Sequence, residues 1–169
     1  IGYIATRKPA PIMFASGTKD MAEQFSKERL TPAIRDVPAM RKVFPPEDMR
    51  TKGNKILYKK FPGGFFVGAG ANSPRTMRAR AIKYGFADEV DDWHGNAASE
   101  GDPLELMRKR LTTFWDSRLL VASTPVNKHN SRITRLYAES DQRRFFVPCL
   151  ECVEHQVLEW KVDKASKTG

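Results

Sequence analysis

The chain has 169 residues, with 29 Lys and Arg against 20 Asp and Glu, a formal net charge of +9, 40% hydrophobic residues and two cysteines. A chain of this length buries roughly 70% of its unfolded surface, and its mix of apolar, aromatic and charged residues excludes disordered, collagen-like and coiled-coil classes. No apolar run is long enough for a membrane span, nothing at the start resembles a secretion signal, and two cysteines exclude a disulfide scaffold.

The first residues, Ile1-Gly-Tyr-Ile-Ala5, show no cap or turn signal and read as the inside of a helix, so a piece of something longer is expected. Pro11 to Ala15 is a short apolar run after a Lys-Pro-Ala-Pro turn and predicts a buried strand. Lys19 to Leu30 has Met21, Ala22, Phe25 and Leu30 near helical spacing, with Thr18 as N-cap. Pro32 and Pro38 then divide the chain into short helical pieces.

Lys55 to Phe61 predicts one half-buried strand, with Ile56, Tyr58 and Phe61 inward and Lys59 and Lys60 outward. Pro62-Gly-Gly64 turns it back into Phe65-Phe-Val67, a hairpin. Gly68-Ala-Gly-Ala-Asn-Ser73 is glycine-rich but lacks the glycine-lysine-hydroxyl ending of a phosphate loop, so a flexible turn is expected. Tyr84 to Ala87 is a short strand ending at Asp88, Leu104 to Trp115 a helix, and Leu119 to Ala122 an apolar strand of the parallel-sheet kind. Ser131 to Ser140 predicts a helix with Ile133, Leu136 and Tyr137 on one face. Phe145 to Val147 and Val157-Leu158 are late strands, and the polar tail from Lys161 to Gly169 is expected to fray. Strands alternating with helices imply an α/β sheet with one inserted hairpin.

Charge is segregated along this order. Residues 41–80 hold ten basic and two acidic residues, 84–107 hold seven acidic and no basic ones, and 108–144 hold nine basic against three acidic. Basic surface favours a polyanionic partner through counterion release, and an acidic block within it suits a divalent cation.

The pair Asp88-Glu89 stands at a strand end. In nucleotide hydrolases the first carboxylate of such a pair holds Mg²⁺ and the second polarises the attacking water. Ser123 and Thr124 end the next predicted strand, where they would sit beside the pair and sense a γ-phosphate, although on these residues alone an ordinary turn with a hydroxyl cap is the better reading. Cys149 and Cys152 have the spacing of one zinc knuckle, with His155 as a third ligand, or they are two reduced core thiols. His94 and His129 have no nucleophile beside them in sequence, so a hydrolytic triad is unsupported.

The order Pro11–Ser16, Thr-Lys-Asp-Met-Ala-Glu-Gln-Phe25, Pro32-Ala-Ile-Arg-Asp-Val-Pro38, Gly70-Ala-Asn-Ser-Pro-Arg-Thr-Met-Arg-Ala-Arg80, Tyr84-Gly-Phe-Ala-Asp-Glu-Val-Asp91, Ala-Ser-Thr-Pro125 and Phe-Val-Pro-Cys-Leu-Glu-Cys152 resembles the ATPase half of the large subunit of lambda-type phage terminases. The likeness runs from about Ile4 to Trp160. It implies a partial P-loop NTPase core of the helicase-like, additional-strand type, a mainly parallel sheet flanked by helices. Residues 1–148 would be part of the ATPase domain, and 149–169 the start of a Cys-containing linker or zinc-ribbon-like segment.

By the same resemblance, Asp88 and Glu89 are the Walker B pair, Ser123 and Thr124 the coupling motif, and Arg78 and Arg80 lie in the arginine-containing segment before Walker B. ATP and Mg²⁺ are the implied cofactors, with Zn²⁺ at the cysteines. The implied partners are double-stranded DNA, a small subunit and a portal or procapsid, in an oligomeric motor in the host cytoplasm. The phosphate-binding loop would lie before Ile1 and the nuclease domain beyond Gly169, which leaves this chain inactive alone. Leu150 and Val153 depart from the family's Cys-Pro-x-Cys-Gly pattern. Two other classes compete: a non-catalytic basic DNA-binding or subunit-docking module, and a metal-dependent nuclease built on Asp88, Glu89, Asp91 and Asp92.

Overall fold

The structure is a computed structural model and describes residues 1–44, 54–93, 101–126 and 130–158; His94, His129 and the tail from Lys161 lie outside them. Helix α1 (Gly2–Arg7) leads into strand β1 (Ile12–Ser16), then α2 (Lys19–Phe25), a π-helical turn at Ser26–Leu30, α3 (Thr31–Asp36) and α4 (Pro38–Val43). Strands β2 (Asn54–Lys55), β3 (Tyr58–Phe61) and β4 (Gly64–Gly70) follow, then α5 (Pro74–Arg78), β5 (Tyr84–Asp88), a 3₁₀ turn at Val90–Asp92, α6 (Pro103–Leu111) and β6 (Arg118–Ala122). The last elements are α7 (Arg132–Ala138), β7 (Phe146–Pro148) and β8 (His155–Val157). The chain forms two compact units, Ile1–Thr134 and Arg135–Gly169. In the second, β7 and β8 pair antiparallel, Pro148 opposite His155.

The first unit is built on one sheet of order β2-β3-β4-β1-β5-β6. Its centre is β1, all five residues buried and parallel to both β4 and β5, which is why this strand reads as an unbroken apolar run. The parallel series continues from β5 to β6, while β3 turns back antiparallel on β4 through the Pro62–Gly64 turn. Mixed α/β architecture with a mainly parallel sheet and an inserted hairpin is therefore the fold. No helix among the described residues is long and apolar enough to cross a membrane.

Alternation along the strands divides the core into two layers. Ile12, Phe14 and Phe66 face Ala22, Leu30, Met40 and Phe44, with Phe14 stacked on Phe25 at 4.0 Å. Thr18 caps α2 by accepting the Met21 N–H at 3.2 Å, as the sequence predicts. On the other face lie Met77 of α5, Ile82 and Met107 of α6, each with no exposed surface. Each such large side chain contributes about 1.5–3 kcal/mol by burial. A Cβ on Gly85 would meet Leu119 Cδ1 at 2.8 Å and Met107 Cε at 3.0 Å, so the glycine in β5 lets α6 and β6 close on the sheet.

Four expectations change. The Lys55–Phe61 segment is two short strands joined by a turn at Ile56-Leu57, and the inward face carries Lys59 and Phe61; Lys59 is fully buried, with Nζ donating to Asn54 Oδ1 at 3.3 Å. Gly68–Gly70 is not a flexible turn but the buried end of β4. A Cβ on Gly70 would fall 2.3 Å from Lys19 N and 2.7 Å from Thr18 C, so this glycine admits the backbone that enters α2, while one on Gly68 would meet Leu57 Cδ2 at 2.7 Å. Helix α6 stops at Leu111 with Thr112 as C-cap, where two β-branched threonines end the helical run. Strand β6 is parallel but lies at the sheet edge, leaving Leu120 59% exposed.

Replacing Gly70 by Ala sets a methyl against main-chain atoms that belong to a capped helix. The expected cost is about 1–3 kcal/mol, measured by urea unfolding; a Gly70→Ala protein as stable as the parent would refute the close approach.

Candidate functional site

Parallel pairing of β5 with β6 puts Asp88 opposite Ala122, so the residues that leave the two strands meet at their shared carboxyl end. That end is where open α/β sheets bind ligands. Glu89 leaves β5 with φ 53 and ψ 49, in the left-handed region. This conformation turns its carboxylate toward β6, where Oε2 accepts the Thr124 N–H at 3.3 Å and lies 3.5 Å from Ser123 Oγ. Ser123 Oγ in turn accepts the Asp91 N–H at 3.1 Å. The predicted quartet Asp88, Glu89, Ser123 and Thr124 is thus brought together.

The Asp88 main chain is fixed separately: its carbonyl accepts the Trp93 indole N–H at 3.0 Å, and Trp93 is buried. The Asp88 carboxyl is pushed above its usual range, first by burial and then by the charge of Glu89. Two adjacent carboxylates, one partly removed from water, form a site whose ionised state a cation would stabilise.

Asp91 has a different task. Its Oδ1 accepts the Ile133 N–H at 2.8 Å and its Oδ2 accepts the Val126 N–H at 3.2 Å. Burial alone would raise its pKa, but hydrogen bonds from the Ser131 side chain and from the Ile133, Val126 and Arg132 main chain outweigh it and hold the carboxyl below the usual range. Asp91 therefore fastens the segment after β6 and the start of α7 to the turn after β5. Asp92 is exposed in the 3₁₀ turn. With both Asp91 oxygens engaged by donors, the four-carboxylate arrangement needed for a two-metal nuclease is not formed. The sequence does not disclose the clasp, because its donors lie 35 and 42 residues away.

Beyond the quartet, Arg132 pairs with Asp102 at 3.1 Å, and Asp102 also caps α6 by accepting the Leu104 N–H at 3.0 Å. Arg78 is exposed at the end of α5, its carbonyl accepting from Arg110 Nη1 at 3.2 Å, and Arg80 lies over the Tyr58 ring at 4.9 Å.

Cys149 and Cys152 belong to the second unit, in the turn between β7 and β8, where Cys149 N donates to Glu154 O at 2.8 Å. The Cys149 thiol is held below its usual range, chiefly by the Cys152 N–H and next by that of Glu151. Among the described residues no group of three His, Cys, Asp or Glu could hold a metal. His155 does not complete a set with the two thiols, so the expected zinc site at Cys149 and Cys152 is not supported.

Residues 1–167 match the family described as "Phage terminase large subunit gpA, ATPase domain". Among curated proteins, the chain is 30% identical to the terminase large subunit of Enterobacteria phage P21 and 28% identical to that of Escherichia phage lambda, in each case over 99% of this chain and 26% of the relative. The chain thus spans about a quarter of the length of these relatives. Among solved structures it is similar to the large terminase ATPase domain of Thermus phage P74-26, with a TM-score of 0.46 and 16% identity over 75% of this chain and 53% of that one.

Two measurements test this geometry. Asp91→Ala leaves main-chain donors without their acceptor and should lower stability at pH 7 by about 1–3 kcal/mol. Because the folded-state pKa of Asp91 lies below its ordinary value of 3.8, the stabilisation is complete above that value and is lost as pH falls through the lowered one. The gap between parent and variant in urea unfolding should therefore close in acid; a gap that persists there would sink the assignment. Glu89→Gly and Glu89→Ala both remove the carboxylate, but only the alanine keeps a Cβ in the left-handed region, so the glycine variant should be more stable by about 1 kcal/mol.

Proposed function

The chain belongs to the family of phage terminase large subunit gpA ATPase domains, and from that premise we propose that it supplies the acidic half of the ATP-hydrolysing site of a DNA-packaging motor. One observation supports this reading above the others: Asp88 and Glu89 meet Ser123 and Thr124 at the carboxyl end of two adjacent parallel strands.

Asp88 is the residue that would hold Mg²⁺, and its partly desolvated carboxyl beside Glu89 fits a divalent ion that needs only one or two carboxylates with phosphate and water. Held there, Mg²⁺ would supply charge neutralisation for the phosphates. Glu89 accepts a proton from the attacking water as the γ-phosphoryl group is transferred, the role a positioned carboxylate fills in phosphoryl transfer. Ser123 and Thr124 hold that carboxylate through the contacts above. When the γ-phosphate leaves, a change at Glu89 reaches the segment after β6 directly. Arg78 and Arg80 remain without an assigned role in hydrolysis.

The 169 residues contain no Gly-x-x-x-x-Gly-Lys-[Ser/Thr], so the main-chain cradle and lysine for the phosphates must come from outside this chain. Double-stranded DNA, a small subunit, a portal or procapsid, and oligomerisation in the host cytoplasm belong to the same reading of the whole protein. The basic stretches 41–80 and 108–144 would supply backbone contacts to the DNA.

The isolated chain should show no ATP turnover. In the large subunit carrying this segment, Glu89→Gln should lower kcat by roughly 10²–10⁴-fold with little change in nucleotide affinity, while Asp88→Asn should weaken Mg²⁺-dependent nucleotide binding. Turnover by the isolated chain that disappears with Glu89→Gln, or a Glu89→Gln subunit of parental kcat, would overturn the assignment.

A further inference from the structure

We propose that Cys149 and Cys152 form a reversible intramolecular disulfide that closes the turn between β7 and β8, so that the second unit responds to thiol–disulfide chemistry. They are the two cysteines of the chain, and the turn brings them together. The β7–β8 ladder ends with Pro148 opposite His155. Within the turn, Cys149 N donates to Glu154 O at 2.8 Å and Val153 N donates to Cys149 O at 3.0 Å. The second of these bonds joins positions four apart, as in one turn of an α-helix, and residues three apart in such a turn lie on one face. The sulfurs are accordingly in contact: the Cys152 thiol donates to the Cys149 sulfur, which the Cys152 and Glu151 N–H groups also face.

The unit that contains this pair has little else to hold it. From Arg135 onward none of the described residues is buried. Strands β7 and β8 have three residues each and form a two-stranded sheet of their own, and an isolated hairpin is marginal in water. Units too small to enclose a core are held by disulfides or by a structural cation. A tetrahedral cation needs more ligands than two thiols supply, and no group of three His, Cys, Asp or Glu meets among the described residues. A disulfide needs only two sulfurs, and both are accessible, Cys152 exposed and Cys149 half-buried. Val153 ends the turn at φ 62, a left-handed conformation that disfavours a β-branched side chain. The open turn therefore has reason to relax, and a covalent link across it removes that freedom.

The oxidant is a small-molecule disulfide such as oxidised glutathione. The Cys149 thiolate, favoured by the N–H groups that face it, attacks one sulfur of that disulfide, forms a mixed disulfide and releases the first small thiolate. Cys152 gives its proton to water and attacks the Cys149 sulfur. The protein S–S bond forms and the second small thiolate leaves. The two protein thiols are oxidised together by two electrons, which reduce one small disulfide to two thiols.

The test equilibrates the 169-residue chain, with a chelator present, in buffers of graded reduced-to-oxidised glutathione ratio, then alkylates free thiols and reads the mass. The parent should lose the mass of two hydrogen atoms as a monomer, at any protein concentration, and regain it with dithiothreitol. Closure should be favoured at least roughly tenfold more in native buffer than in urea, because the folded turn already holds the sulfurs together. It should also slow hydrogen exchange at the β7 and β8 amides by roughly tenfold. Cys152→Ser keeps the attacking thiol without the resolving one, so it should stop at the glutathione adduct and form it faster than Cys149→Ser does.

Equal closure in native buffer and in urea would reduce the effect to two cysteines at this spacing in any peptide, and would overturn the proposal. Disulfides between chains, adducts without ring closure, or closure that leaves exchange in β7 and β8 unchanged would overturn it too. So would protection of both thiols by stoichiometric Zn²⁺ when the chelator is left out, since the pair would then be part of a cation site. The comparison of native buffer with urea uses the parent chain alone, so a variant that unfolds does not obscure it.

Discussion

The carboxylate of Asp91 joins three stretches of chain that the sequence keeps far apart. It accepts main-chain N–H groups from Val126 and Ile133, while its own N–H is given to Ser123. The turn after β5, the segment after β6 and the first turn of α7 are thereby held in one frame. Parallel pairing of β5 with β6 sets the strand ends side by side, but pairing alone does not place the loops that follow. Without the clasp, Ser123 and Thr124 would be free to leave Glu89, since the two contacts between them are long, at 3.5 and 3.3 Å. The strong bonds in this region thus go to Asp91 and the weak ones to Glu89. That division suits a site in which one carboxylate holds the frame and its neighbour stays available for chemistry.

How far the sequence discloses this arrangement depends on the range of the interaction. Local signals are legible: the apolar run of β1, the Thr18 cap and the Pro62–Gly64 turn each act within a few residues. The pair Asp88-Glu89 is legible too, because an acidic dipeptide after a short strand is a local pattern. Lys59 misleads because alternation fixes which residues share a face and not which face is buried; the turn at Ile56-Leu57 resets the phase. Gly70 misleads for a related reason. Glycine marks both flexible turns and places where two backbones must meet, and only the position of Thr18 and Lys19 decides which applies. The role of Asp91 is illegible because its partners are main-chain donors 35 and 42 residues on, and any residue other than proline supplies such a donor.

Charge segregation acquires a spatial meaning through the crossover from β4 to β5. These strands flank β1 on opposite sides, so the connection through α5 must pass across the sheet. Its basic residues begin near the β3–β4 hairpin, and its end delivers the chain to the acidic turn. Arg75 and Arg80 stay on the hairpin side with Lys55, Tyr58 and Phe65, while Asp88 and Glu89 stand two strand positions away at the carboxyl end. One surface region therefore gathers positive charge and another gathers carboxylates, although both belong to the same sheet. A random scatter of the same +9 would give neither region enough charge of one sign to recruit a polyanion or a cation.

The left-handed backbone at Glu89 shows where stability is given up for placement. Glycine would adopt φ 53 without the crowding that a Cβ brings, a difference of about 1–2 kcal/mol. The neighbouring turns supply other ways to end a strand, so the strain is not imposed by the sheet. What the left-handed step accomplishes is a change of direction within one residue: the chain leaves β5 toward the 3₁₀ turn, and the Glu89 side chain is delivered toward Ser123 and Thr124. An extended residue would continue the strand instead. Strain that persists at a carboxylate, next to a second carboxylate whose ionisation is itself disfavoured by burial, marks two unfavourable choices at consecutive positions. A turn serving only the fold would have relieved both, with glycine at the first and an uncharged residue at the second. Their coincidence is intelligible where both charges are kept for a ligand that compensates them.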